Sequence, residues 1–234
     1  MKSLLVNSLY FSLFVQIITL FIGVFGLTLD VKPTDEILLS TVGLETLVSA
    51  VQFTFYVWYA YHFKAVSEAA VYRYYDWFIT TPIMLFTTML YYNYNNHPDK
   101  EETLQTFWET HQTKILIVFV CNAVMLYFGY LYEINVLNVA TSIFFGFLGL
   151  IGSFYVVYDS FVRQNMAANL PLFTFMSVLW AFYGIAATFS PVWKNITYNF
   201  IDTLSKNFYG VFLTYVVYTK IDRPKIAVAR VYPE

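Results

Sequence analysis

Apolar runs of about 20 residues alternate with short polar breaks along almost the whole chain. A run of that length crosses the hydrocarbon core of a bilayer as one helix. Breaks near Asp30–Asp35, Lys64–Ser67, Asn93–His111, Glu133–Asn135, Arg163–Asn169 and Pro191–Asn195 leave seven spans, at about 4–27, 36–63, 68–92, 114–132, 136–161, 170–189 and 196–221. The pattern predicts an all-α membrane protein, one seven-helix bundle over residues 1–234 with no repeat and no second domain. The first run is too long for a signal-peptide core and has no clear cleavage site, so it reads as a retained helix. Thr34 or Asp35, just after Pro33, is placed to cap the second helix. Gly146, Gly149 and Gly152 recur every three residues in the fifth span, a spacing that permits close helix contact in lipid. The stretch 93–111, with Asp99, Lys100, Glu101, Glu102 and Glu109, reads as a solvated loop with an amphipathic turn around Leu104–Trp108.

Composition supports the membrane class. Hydrophobic residues make up 59% and charged residues 12%, too few charges to coat a water-facing surface. A net charge of −2 argues against a nucleic-acid partner. The single cysteine, Cys121, excludes an internal disulfide, and the scattered His62, His97 and His111 give no readable metal site. Basic residues set the orientation. Lys32, Lys100, Lys114, Arg163, Lys220, Arg223, Lys225 and Arg230 fall on one side, and Lys2, Lys64 and Lys194 on the other. The N-terminus is therefore expected outside and the C-terminus in the cytoplasm. Trp58, Tyr59, Tyr61, Tyr91, Tyr92, Tyr94 and Trp193 near span ends read as an interfacial aromatic belt. Asn195-Ile-Thr197 fits a glycosylation acceptor on the outer side, of low weight so near the membrane.

Charged residues inside the spans carry the functional signal, because ionisable groups at bilayer depth are expensive and usually functional. Lys206 lies in the seventh span with Asp202 four residues before it, on one helix face. A desolvated lysine condenses with an aldehyde to give a Schiff base, whose protonated form needs a counter-ion. A purely structural ion pair explains the same two residues. The third span carries Arg73, Asp76, Thr80 and Thr87 near one face, with Pro82 among them; a polar seam between helices is the plain alternative. Glu45 stands in the second span about nine residues from its cytoplasmic end, roughly a third to halfway across. Gln16, Asn199 and Asn207 are uncharged polar residues in apolar runs. They either constrict or hydrate a pore or satisfy one another.

Together, Arg73-Tyr-Tyr-Asp76-Trp77-Phe-Ile-Thr80-Thr81-Pro82, Asp202-x-x-x-Lys206 and Trp180-x-x-Tyr183 resemble the motifs of the microbial (type 1) rhodopsins over the whole seven-helix stretch. Asn199, Asn207 and a glutamate in the second span resemble the viral branch most, which implies a host-cell membrane. The resemblance implies that Lys206 binds all-trans retinal as a protonated Schiff base. Asp76 is then proton acceptor and primary counter-ion, Asp202 the second carboxylate, and Arg73 the link to the outer half-channel. Thr80 is expected to hydrogen-bond Asp76. Trp77, Thr81, Met84, Met125, Trp180 and Tyr183 are expected to line the chromophore, and the fifth-span side around Phe144–Phe147 stays unassigned.

Departures from the family pattern bear on function. Thr87 stands eleven residues after Asp76, where the family's proton pumps carry a donor carboxylate. Gly184 replaces a usual proline after Tyr183, and Lys194 occupies a place open to an acidic release group, so no release carboxylate pair is evident. No histidine is found in Val51-Gln-Phe-Thr54. A desolvated Glu45 can hold a proton and stand in for the missing donor, or it can simply bond to Asn207, Ser205 or water. The resulting expectation is a light-driven outward proton pump. A light-gated cation channel is the alternative, weakened by Gln52 seven residues after Glu45, and a photosensor signalling through a membrane partner is a third. Asp76 argues against chloride pumping. Lipid bilayer, protons or small cations and further copies of the chain are the expected partners, and no enzymatic chemistry is implied.

Overall fold

A computed structural model describes residues 2–63 and 66–221. The helices are α1 (Lys2–Gly26), α2 (Glu36–Tyr61), α3 (Val66–Asn96), α4 (Leu104–Glu133), α5 (Val139–Val157), α6 (Met166–Ala186), α7 (Pro191–Asp202) and α8 (Tyr209–Thr219). A π-helical turn, Thr203–Phe208, joins α7 to α8, so the two form one rod, the seventh of the bundle. A second π-turn, Tyr158–Val162, ends the α5 rod. Lys64 and Ala65 of the second break, and Arg223, Lys225 and Arg230 of the orientation count, lie outside the described residues.

The rods follow the seven expected spans, but several ends differ. Residues 93–111 are mostly helical rather than a solvated loop. The polar residues at the end of α3 have buried partners: Asn93 donates to Glu102 at 2.5 Å, Tyr94 to Asp35 at 2.5 Å and Asn96 to the Phe161 carbonyl at 2.8 Å. At the start of α4, Thr103 and Thr106 cap each other reciprocally, satisfying amides that the helix leaves unpaired. The α6 rod starts four residues earlier than expected, with the Asn165 side chain accepting from the Ala168 amide. The seventh rod starts at Pro191, whose missing N–H is harmless in a first helical position. Asp35 precedes α2 but makes no capping bond; its carboxylate accepts from Tyr94 instead.

Close packing at the glycines is uneven. A Cβ on Gly149 would lie 2.6 Å from the Cys121 carbonyl, and one on Gly152 2.9 Å from the Cys121 sulfur, so α4 and α5 touch there. At Gly146 the nearest atom would be 3.7 Å away, and this glycine faces a cavity. The aromatic belt is only partly such a belt. Trp58, Tyr61 and Trp193 are exposed, whereas Tyr59, Tyr91, Tyr92 and Tyr94 are buried in the bundle. Phe14 and Phe21 point outward from α1, as lipid-facing positions do.

Candidate functional site

A cavity runs between α3, α4, α5, α6 and the seventh rod, with roughly 750 Å³ of space including its open mouth. Trp77, Thr81, Met84, Met125, Trp180 and Tyr183 all line it, and Lys206 with Ser205 closes one part of the wall. Trp77 packs edge-on to Tyr183 and Tyr198, with ring centroids 5.1 Å apart in each case. Asn122 on α4 donates to Thr81 at 2.9 Å, and Thr81 donates to the Trp77 carbonyl at 2.8 Å, which fixes the α3 side of the wall. On α5, Ser142, Ile143, Gly146, Phe147 and Leu150 face the cavity, while Phe144 points away.

At Lys206 the backbone passes through the Thr203–Phe208 π-turn, a local widening that recurs at functional sites. Lys206 Nζ lies 2.6 Å from Asp76 Oδ2 and 3.7 Å from Asp202 Oδ1. Arg73 Nη1 lies 3.1 Å from Asp202 Oδ2. Two cations and two carboxylates therefore share a fully buried space with zero formal charge, which makes their desolvation tolerable. The carboxylates are not equivalent. Asp202 also accepts from Tyr56 at 2.7 Å and Tyr183 at 2.6 Å, so its oxygens are occupied. Among the described residues the Asp76 carboxylate accepts only from Lys206, and its Oδ1 has no partner. Thr80 does not bond to the Asp76 carboxylate as expected. Its hydroxyl donates to the Asp76 backbone carbonyl at 2.9 Å, the usual bond for a helical threonine four residues on.

Arg73 is caged. Its guanidinium donates to Tyr56 at 3.0 Å, Asn199 at 2.5 Å and Asn195 at 3.3 Å. The rings of Phe55, Tyr56, Tyr59 and Tyr198 surround it at 5.3–5.9 Å. Asn195 is fully buried on the arginine, so it is not presented as a glycosylation acceptor.

Glu45 is buried in the cytoplasmic half. It bonds to the Thr87 hydroxyl rather than to Asn207 or Ser205. Tyr209 reaches the same hydroxyl at 3.5 Å. The pairing joins α2 to the α3 position where a carboxylate is missing. Around Glu45 a narrow void, too tight to hold a water molecule, is bounded by Thr19, Ser49, Gly210 and Thr214.

A family model described as bacteriorhodopsin-like protein matches residues 7–220. The chain belongs to that family. It is a microbial rhodopsin, most like the viral branch. The crystal structure of viral rhodopsin OLPVRII superposes with a TM-score of 0.81 at 28% identity, covering 92% of this chain and 98% of that one. Xanthorhodopsin, described as a light-driven ion pump with dual chromophore, gives 0.70 at 18% identity over 94% of each chain. Halorhodopsin, a light-driven chloride pump, gives 0.63 at 16%, covering 92% and 96%. At those identities the last two show a shared fold. A search of curated proteins found no match.

Members of this family are integral membrane retinal proteins, not enzymes, and retinal is carried as a Schiff base on a lysine, here Lys206. The residues present fit that cofactor. The lysine amine opens on a cavity walled by Trp77, Trp180, Tyr183 and Tyr198 and has a carboxylate at hydrogen-bond distance. Sequence reasoning missed the Tyr74 and Tyr198 walls and the α5 lining of this rhodopsin. Tyrosine occurs in every span, and only the rotation of each helix separates the inward from the outward ones. Thr87 was noticed as an absent donor. The partner it gives Glu45 has no signal in sequence, because the two residues stand on different helices.

Proposed function

We propose that this rhodopsin is a light-gated pathway for protons and small cations, running along the seam between α1, α2 and the seventh rod. The observation that carries this reading is a column of buried polar groups on that seam. At its outer end Ser8 accepts from Asn199 at 2.9 Å, and Ser12 meets Thr203 at 3.2 Å. Next inward, Gln16 donates to Ser12 at 3.1 Å. Thr19, Ser49 and Gly210 meet around the void beside Glu45. Gln16, Gln52 and Asn207 each stand one helical turn outward from those three residues, which brings them to one depth. Both polar atoms of Gln52 and of Asn207, Gln16 Oε1 and Glu45 Oε2 have no partner among the described residues despite burial. Buried polar atoms are rarely left so, and in a membrane such groups line a water-filled path.

When bound, retinal supplies light absorption and a change of shape at the Lys206 nitrogen. Asp76 is the acceptor for a proton leaving that nitrogen, being 2.6 Å away with a free second oxygen. Asp202 stays the fixed counter-charge, held by Tyr56, Tyr183 and Arg73. Losing the Lys206–Asp76 attraction releases the seventh rod, one wall of the seam, from α3, and the gating movement is a shift of that rod against α1 and α2. A homo-oligomer in the bilayer belongs to the same proposal.

Outward proton pumping is the second reading. The Glu45–Thr87 pairing favours it, since it places a carboxyl where a cytoplasmic donor is needed. The deciding experiment is whole-cell current under light across holding voltages, with retinal supplied. A current that reverses near a cation's equilibrium potential supports the pathway. A current that stays outward at every voltage rejects it and supports the pump. No current alongside a normal visible band rejects both and leaves a photosensor.

A further inference from the structure

On the outer side of Arg73, Lys194 near the start of α7 meets Glu133 at the end of α4. Its Nζ lies 2.8 and 3.1 Å from the two carboxylate oxygens and 4.9 Å from the centre of the Tyr132 ring. Both side chains are buried. Each charge is on the wrong helix for its own dipole and beside the right one on its neighbour: the carboxylate meets the N-terminus of α7 and the ammonium the C-terminus of α4. Lys194 is adjacent in sequence to Asn195, which gives Arg73 its outward-facing bond, the longest of its set at 3.3 Å. Arg73 thus holds Asp202 on one side and, on the other, Asn195, the residue that directly follows Lys194 of the Lys194–Glu133 pair.

We infer that Lys194 is a positioning residue that neutralises Glu133 and so keeps the Arg73 guanidinium on Asp202, beside the Lys206–Asp76 pair. The charge count supports this. Lys206, Arg73, Asp76 and Asp202 sum to zero, and so do Lys194 and Glu133. Removing the Lys194 charge leaves one net negative charge on the outer side. In a medium of low dielectric constant its pull on Arg73 is strong. Arg73 then shifts outward, Asn195 offers the path, and Asp76 loses positive charge nearby. The inference rests on the counter-ion reading above, and not on whether ions pass through a channel or a pump.

The test is acid titration of the visible absorption band of the purified, retinal-bound protein, which reads protonation of the counter-ion complex without any transport. Asp76 faces Lys206 and Asp202 on the seventh rod and Arg73 on its own helix. Glu133 is bonded to Lys194 on α7, and the other titratable or charged groups around it are Tyr198 on α7 and Arg73 and Tyr74 on α3. Lys194→Met is expected to raise the midpoint so that about tenfold less acid is needed, while Lys194→Arg stays near wild type. Glu133→Gln, which leaves the ammonium unopposed, is expected to move the midpoint the other way. The double variant Glu133→Gln/Lys194→Met returns to within about threefold of wild type, since the charge that displaces Arg73 is gone. A clamp that only holds α4 to α7 lowers the melting temperature in all the uncharged variants without this reversal. An unshifted Lys194→Met, or a double variant that matches it, overturns the inference. If Lys194→Met does not bind retinal, an unshifted Glu133→Gln overturns it alone. A missing photocurrent rejects the transport reading and leaves the titration result standing.

Discussion

Glu45 on α2 and Thr87 on α3 are 42 positions apart in the chain and share a buried hydrogen bond. The Thr87 hydroxyl also reaches the Met84 carbonyl at 2.9 Å. One proton therefore serves two acceptors, and the Glu45 bond is the one that a change in that carboxyl's charge will alter. Thr87→Val removes it and leaves Glu45 buried without a partner. A loss of about 1–3 kcal/mol of stability is expected, together with a slower return to the dark state, as for Glu45→Gln. Flash spectroscopy of both variants is the check. Recovery at the wild-type rate in both would remove Glu45 from the transport path.

Asp76→Asn takes one negative charge from a cluster that sums to zero. Lys206 and Arg73 are then opposed by Asp202 alone, and Asp202 is already engaged by Tyr56 and Tyr183. The visible band is expected to move to longer wavelength, because the positive charge near Lys206 loses its nearest counter-charge. Light-driven acidification or current should fall at least about tenfold. Unchanged current would show that the proton goes elsewhere.

Two glycines on α5 separate packing from the cavity. Gly149→Ala drives a methyl to 2.6 Å from the Cys121 carbonyl and 2.7 Å from the Met125 amide. Both are backbone atoms, so the helices must part, at a cost of about 1–3 kcal/mol. Gly146→Ala meets nothing closer than 3.7 Å and projects into the chromophore cavity. Thermal melting of the retinal-bound forms should single out the first, and the absorption maximum the second. Equal melting temperatures would contradict the close contact.

Asn169 ties three rods at their cytoplasmic ends. Its amide donates to the Asn96 side chain at 3.0 Å and the Phe161 carbonyl at 3.1 Å, and it accepts from Asn95 at 2.8 Å. Asn169→Leu takes their partner from the half-buried Asn95 and Asn96 side chains, while the Phe161 carbonyl keeps its bond from Asn96. Each unpaired group costs about 1–3 kcal/mol before relaxation or water entry. Faster amide exchange is expected at the α3 and α6 cytoplasmic ends and not near Arg73. Exchange that rises evenly over the bundle would mean the cluster is not a local tie.

The hydrophobic pattern alone determined seven rods in a membrane. Twenty apolar residues have few stable arrangements other than a spanning helix, and that requirement is local. Lys206, Asp76, Asp202 and Arg73 were also legible, since a charge inside such a run stands out. The cavity residues Trp77, Thr81, Met84, Met125, Trp180 and Tyr183 came from family resemblance, and the fold brings them to one wall. What only the tertiary structure decided is pairing between rods: Thr87 on Glu45, Glu133 under Lys194, Asn169 across α3 and α5, and the asymmetry between Asp76 and Asp202. It also decided which tyrosines face lipid and that the end of α3 is buried. Helix periodicity places a residue on a face, but helix rotation and the identity of the neighbour follow from packing all seven rods together. A polar side chain near a span end looks the same in sequence whether water or another asparagine awaits it.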